Sequence, residues 1–169
     1  MVICVGGGVV ASDSTAEVVK LAQMKNATVV ATMMGLSGYP ADEPRFLGML
    51  GTYGNEGANM AIQDCDCLLA LGMRFDDRVI STAQSFAPNA EIIHVDVDPA
   101  EIGKNVEIDI PIVGDLRSVL VDLNSQLEKQ SELVVCESLY PSIPLPTSEG
   151  INVPWTMNLV ETLVDKEKT

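Results

Sequence analysis

The chain reads as an α/β domain with a doubly wound, mostly parallel sheet of five or six strands, and three observations predict it. Short apolar runs alternate five times with helical periodicities, the order that strand–helix–strand units produce. The runs are continuous, as in Leu68-Leu69-Ala70-Leu71, which marks a parallel strand buried on both faces. They also empty into glycines and charges at their carboxyl ends, where ligands sit in open α/β sheets.

Taken in order, Val2-Ile3-Cys4-Val5 is a short strand that ends in Gly6-Gly7-Gly8. Ser12, Asp13 or Ser14 caps a helix through residue 26, with Ala16, Val19 and Ala22 on one face. Strand, glycine turn and helix open a nucleotide-binding unit, because glycines allow close backbone approach and a helix N-terminus offers free N–H groups. The spacing is not G-x-G-x-x-G, since Ala11 stands where the third glycine belongs. The second strand, 27–32, runs into Met33-Met34-Gly35 without the ribose-binding acid of a standard nicotinamide site. A glycine turn that only packs strand on helix stays open as an alternative.

Residues 35–54 form a connection longer than compact domains usually tolerate. Its apolar content (Leu36, Tyr39, Phe46, Leu47, Met49, Leu50) predicts an ordered loop over a ligand or against another domain. Met33, Met34 and Met49 read either as a pliable bed for a flat ring or as ordinary core. Asn55 caps a helix over 56–64, and the strand 67–71 leads to Arg74-Phe75-Asp76-Asp77-Arg78. Between Phe46 and Gly103 these two arginines are the only lysine or arginine residues. Gathering scarce cations at a strand's carboxyl end points to an anionic ligand; a solvated loop with weak surface ion pairs is the plainer alternative.

A helix over 79–86 follows, then a strand from Glu91 in which His94 reads as a core histidine and Asp96 as an acceptor for ribose hydroxyls. The strand 108–113 carries Pro111 and therefore belongs at an edge. Residues 116–129 form an amphipathic helix with Val119, Leu120, Leu123 and Leu127 inward. The expected organisation is a nucleotide-binding domain over 1–130, an extended proline-containing linker over 131–154, and the start of a following domain over 155–169. Both ends are what one expects of a piece cut from a longer polypeptide; a naturally short protein is the alternative.

The 169-residue chain carries 10 basic against 24 acidic residues, a net charge of −14, which disfavours nucleic acid and anionic membranes as partners. No apolar run reaches a membrane span and no basic leader precedes the first strand, so a cytoplasmic location is expected. Its 4 cysteines and 1 histidine lack zinc-ligand spacing, so no metal site is expected.

Gly48-Met49-Leu50-Gly51, Asn59, the R-F-D-D-R turn and the run Asp96-Val97-Asp98-Pro99-Ala100-Glu101-Ile102-Gly103-Lys104-Asn105 together resemble the central domain of the acetolactate synthase (acetohydroxyacid synthase) catalytic subunit, from about Val5 to Leu123. The resemblance implies a Rossmann-like middle domain, between two other α/β domains, that binds FAD in a thiamine-diphosphate enzyme. That enzyme condenses pyruvate with a second 2-keto acid on the way to branched-chain amino acids, and its flavin does no net redox work. Carried over by position, Gly6, Gly7 and Gly8 approach the cofactor backbone. Thr32, Met33 and Met34, with Leu50, Gly51, Thr52 and Tyr53, line the flavin. Gly72, Met73, Arg74, Asp76, Arg78 and Val79 hold the ribityl and phosphate portion; Asp96, Val97, Glu101 and Asp115 serve the adenosine end. Asp77 and Arg78 also face the substrate channel.

Where many members have Met-His-Gly, this chain has Thr52-Tyr53-Gly54. The thiamine signature and the catalytic glutamate belong to other domains, as do thiamine diphosphate and Mg2+. The domain alone is therefore expected to be inactive. The implied partners are the flanking domains, a homo-oligomer of the full-length subunit, and in some members a regulatory small subunit. Two alternatives remain: a nucleotide-free middle domain of a related decarboxylase, and a free-standing NAD-dependent enzyme, which the missing acid after the second strand disfavours.

Overall fold

A computed structural model describes residues 1–80 and 85–130. Within them the chain forms β1 (Val2–Val5), α1 (Gly7–Ala11), α2 (Thr15–Lys25), β2 (Thr28–Ala31), a 3-10 turn (Met33–Gly38), β3 (Phe46–Met49), α3 (Glu56–Asp64), β4 (Cys67–Leu71), β5 (Glu91–Asp96), β6 (Ile110–Val113) and α4 (Leu116–Gln130). The strands form one six-stranded sheet in the order β3-β2-β1-β4-β5-β6, and every neighbouring pair is parallel.

Continuous apolar strands are explained by two cores, one on each face of the sheet. Side chains alternate across a strand, so Val2, Cys4, Leu68 and Ala70 meet Ala58, Ala61 and Ile62 of α3 on one side. Ile3, Val5, Leu69 and Leu71 meet Val18, Leu21 and Ala22 of α2 and Leu120 of α4 on the other. A polar residue at any of these positions would be buried, and that demand makes the runs legible.

Three segments differ from the sequence reading. The helix expected from a cap at Ser12–Ser14 through residue 26 is α2, with Ser14 at its N-cap position, but the glycine turn expected before it is a short helix, α1, which ends at Ser12 just before Asp13 takes φ 51°. The Ser12 hydroxyl donates to the Gly8 carbonyl at 2.7 Å and closes the short helix. Three glycines in a row argue for a turn by propensity, and packing overrides it. The connection 35–54 is no continuous loop: it contains the 3-10 turn and the edge strand β3. Gly48, at φ 87°, and a register shift against β2 interrupt the alternation that would have revealed this strand. The strand expected over 108–113 begins at Ile110, and it lies at the sheet edge as Pro111 requires. The expected helix over 79–86 lies partly outside the described residues, and the linker and second-domain start beyond residue 130 lie wholly outside them.

Candidate functional site

All six strands run the same way, so their carboxyl ends form one rim. The strand order reverses between β1 and β4, and a crevice opens at such a switch point. The two exits there are packed backbone to backbone. Gly6 N–H donates to the Leu71 carbonyl at 2.9 Å and Gly8 N–H to the Gly72 carbonyl at 2.8 Å. A Cβ on Gly8 would stand 2.7 Å from Gly72 Cα, and one on Gly6 would strike the Gly72 carbonyl. Gly7 lies under Met34, whose Cβ would be 3.2 Å from an added Cβ. The glycine turn is therefore needed by the contact between β1 and β4, whatever else it touches.

At the exit of β2, Thr32 N–H donates to the Val5 carbonyl at 2.9 Å, and Thr32 is buried. Met33 and Met34 follow it at 59% and 74% exposed, which excludes the core-filling alternative for both; Met49 is half-buried. After β3, Asn59 of α3 grips Gly51 twice: Gly51 N–H donates to Oδ1 at 2.8 Å, and Nδ2 donates to the Gly51 carbonyl at 3.0 Å. Thr52 N–H donates to the Arg78 carbonyl at 3.0 Å, tying the β3 exit to the β4 exit. A pocket of ≈ 240 Å³ lies at this junction, lined by Leu50, Gly51, Thr52, Asn59 and Val79 among others. Tyr53 projects into solvent beside it at 74% exposed.

The R-F-D-D-R turn alternates: Met73 and Phe75 are core, and Arg74, Asp77 and Arg78 are exposed. Asp76 turns inward to the chain itself, accepting from Arg78 N–H at 3.2 Å. Neither arginine takes part in an ion pair among the described residues. In a chain of net charge −14, two guanidinium groups left unpaired at the rim suit an anion held by bidentate contacts.

At the far side of the rim, Asp96 Oδ1 accepts from Asp98 N–H at 2.9 Å, and its carboxylate is 12% exposed, with Oδ2 3.8 Å from His94 Nε2. Val97 beside it is 73% exposed. Glu101 pairs with Lys104 at 2.8 Å. Asp115 caps α4, accepting from Ser118 N–H at 2.9 Å and its hydroxyl at 2.8 Å, and these bonds hold its carboxyl below the usual carboxylate range. The fold thus brings the glycine turn, Gly72 and Met34 together, and joins Leu50–Thr52 to Arg78–Val79. It gives Glu101 and Asp115 local partners and turns Met73 into the core. His94 is buried as expected, with Nε2 2.9 Å from the Met73 carbonyl. Burial lowers its pKa against the opposing pull of that bond, Asp96 and Glu101. Asn105, whose Nδ2 donates to the Phe75 carbonyl at 2.7 Å, closes the run that carries the resemblance but has no role legible from sequence, because an exposed asparagine in a turn does not reveal its partner.

A six-stranded parallel sheet whose strand order reverses between β1 and β4, with glycines at that switch point, defines a doubly wound α/β domain. The sequence matches the model for "Thiamine pyrophosphate enzyme, central domain" over residues 1–123, and the chain belongs to that family. It is 51% identical over 126 residues to a probable acetolactate synthase large subunit of Methanocaldococcus jannaschii, covering 75% of this chain and 21% of that protein. It is 47% identical over 126 residues to an acetolactate synthase of Mycobacterium leprae (75% and 20%). It is 40% identical over 129 residues to an acetolactate synthase large subunit of Haemophilus influenzae (76% and 22%). The chain thus spans about a fifth of the length of these relatives.

Proposed function

We propose that this chain is the FAD-binding central domain of an acetolactate synthase, the enzyme that joins pyruvate to a second 2-keto acid in branched-chain amino acid biosynthesis. The observation that carries the cofactor half is the rim itself, with unpaired Arg74 and Arg78 on one exit and exposed Met33 and Met34 on another. These groups fit a ligand that is anionic in its middle and flat and apolar at one end. Arg74 and Arg78 would neutralise the pyrophosphate. Met33, Met34 and Tyr53 would lie against the isoalloxazine, and Asp96 Oδ2 would accept from the adenosine ribose. Bound FAD supplies structure to the active site and no net electron transfer.

Thiamine diphosphate and Mg2+ would be held by the flanking domains, so this domain alone binds without catalysing. The full-length subunit is proposed to work in the cytoplasm as a homo-oligomer, with a regulatory small subunit as a further partner. No helix among the described residues is long and apolar enough to cross a membrane.

A second reading rests on the glycine turn. Because the contact with Gly72 accounts for Gly6 and Gly8 without any ligand, a nucleotide-free middle domain of a related decarboxylase also fits the fold. Titrating the full-length protein with FAD and ADP separates the two. Saturable binding of both, weakened by Arg74→Ala and Arg78→Ala and by added salt, supports the cofactor reading. Protein that purifies without flavin and fails to take it up supports the second.

A further inference from the structure

Arg74 sits past the end of β4, on a stretch that the sheet no longer holds. The ladder between β4 and β5 ends where Gly72 N–H donates to the Val95 carbonyl at 2.8 Å. Past that point both carbonyls flanking Arg74 are seized by side chains from distant parts of the chain. His94, on β5, meets the Met73 carbonyl at 2.9 Å through Nε2. A carbonyl can only accept, so Nε2 carries the proton and Nδ1 is left with a lone pair, buried and without a partner. Asn105, in the loop after β5, donates to the Phe75 carbonyl at 2.7 Å. The Phe75 ring is wedged edge-on between His94, at 5.0 Å and 83°, and Phe86, at 5.7 Å and 80°. A histidine kept for packing alone would gain nothing from an orphaned ring nitrogen, whereas one kept to grip a carbonyl has no choice but to leave it.

We propose that His94 and Asn105 are positioning residues that fix the backbone on either side of Arg74 and so aim its guanidinium at the pyrophosphate of a bound dinucleotide. Neither touches the ligand. This rests on the cofactor reading above, and the geometry behind it is the pair of gripped carbonyls, the alternation that buries Met73 and Phe75, and the exposure of Arg74 between them.

The experiment measures the dissociation constants of FAD and of riboflavin, which has no phosphate, in the full-length protein. Asn105 is exposed, so Asn105→Ala leaves the core intact. It is expected to weaken FAD roughly three- to tenfold, the scale of one lost hydrogen bond, and to leave riboflavin unchanged. His94→Leu should do the same, and His94→Gln, whose amide can still donate, should restore most of the FAD affinity. In an Arg74→Ala background, Asn105→Ala should have no further effect, because the residue it aims is gone. Additive losses from Asn105→Ala and Arg74→Ala, or equal weakening of riboflavin and FAD, would overturn the proposal. If Arg74→Ala alone leaves FAD binding intact, it is the cofactor reading that falls.

Discussion

Gly72 is the position where the fold and the candidate site depend on one missing carbon. Its φ is +54°, and an added Cβ would stand 2.6 Å from Gly8 Cα and 3.1 Å from Gly8 C, both backbone atoms of the glycine turn. Gly72→Ala therefore suffers twice. The left-handed backbone disfavours an L side chain by roughly 1–2 kcal/mol, and forcing the turn away from β4 adds roughly 1–3 kcal/mol of overpacking. A total of about 3 kcal/mol, set against an unfolding entropy of roughly 2 cal/mol/K per residue for a domain of this size, lowers Tm by about 10 °C. Gly103 supplies the control: its φ is +70°, yet nothing lies within 4 Å of an added Cβ. Gly103→Ala should lose only the backbone component, about 1 kcal/mol and about 4 °C. Thermal and urea denaturation of both variants, followed by circular dichroism, give the comparison. If Gly72→Ala is no worse than Gly103→Ala, the close approach of the β1 and β4 exits is wrong, and so is the packing account of the glycine turn.

Two further outcomes follow from burial. The chain has 1 histidine, and burial lowers the pKa of His94 from 6.5 in the native state. The unfolded chain accepts a proton near 6.5 that the folded chain refuses, so stability is complete above that pH and is lost as pH falls below it. Urea midpoints measured from pH 8 to pH 5 should fall for the natural chain and stay flatter for His94→Gln; parallel curves would refute this. Among the described cysteines, burial pushes the Cys65 thiol up to about 11 and raises Cys4 further still, whereas Cys67 is only half-buried. Iodoacetamide at pH 8 should alkylate Cys67 before Cys65, and Cys4 only after denaturation, as read by peptide mass spectrometry. Labelling of native Cys4 would contradict its place in the core.

The central strands were legible because each must be apolar on both faces, which leaves a mark no helix of this length shares: Val2–Val5 and Cys67–Leu71 are placed as read. The edges were not. β3 buries only Leu47 fully, with Phe46 and Met49 half-buried, and contains Gly48, so its four residues have neither a run nor an alternation to announce them. For the rim, residue type was enough to single out Arg74 and Arg78, since cations are scarce in this chain and two fall in one turn.

Composition and order by themselves determined that this chain winds a parallel sheet, which stretches line its carboxyl rim, and that two scarce cations fall there; apolar runs and isolated cations are properties of single segments. Only the tertiary structure decided that Gly6 and Gly8 are demanded by Gly72, that Asp115 serves as the cap of α4, and that the carbonyls beside Arg74 are held by His94 and Asn105. Each of these is a contact between residues far apart in the chain or a choice between possible hydrogen-bond partners. Such a choice depends on where the backbone finally comes to rest.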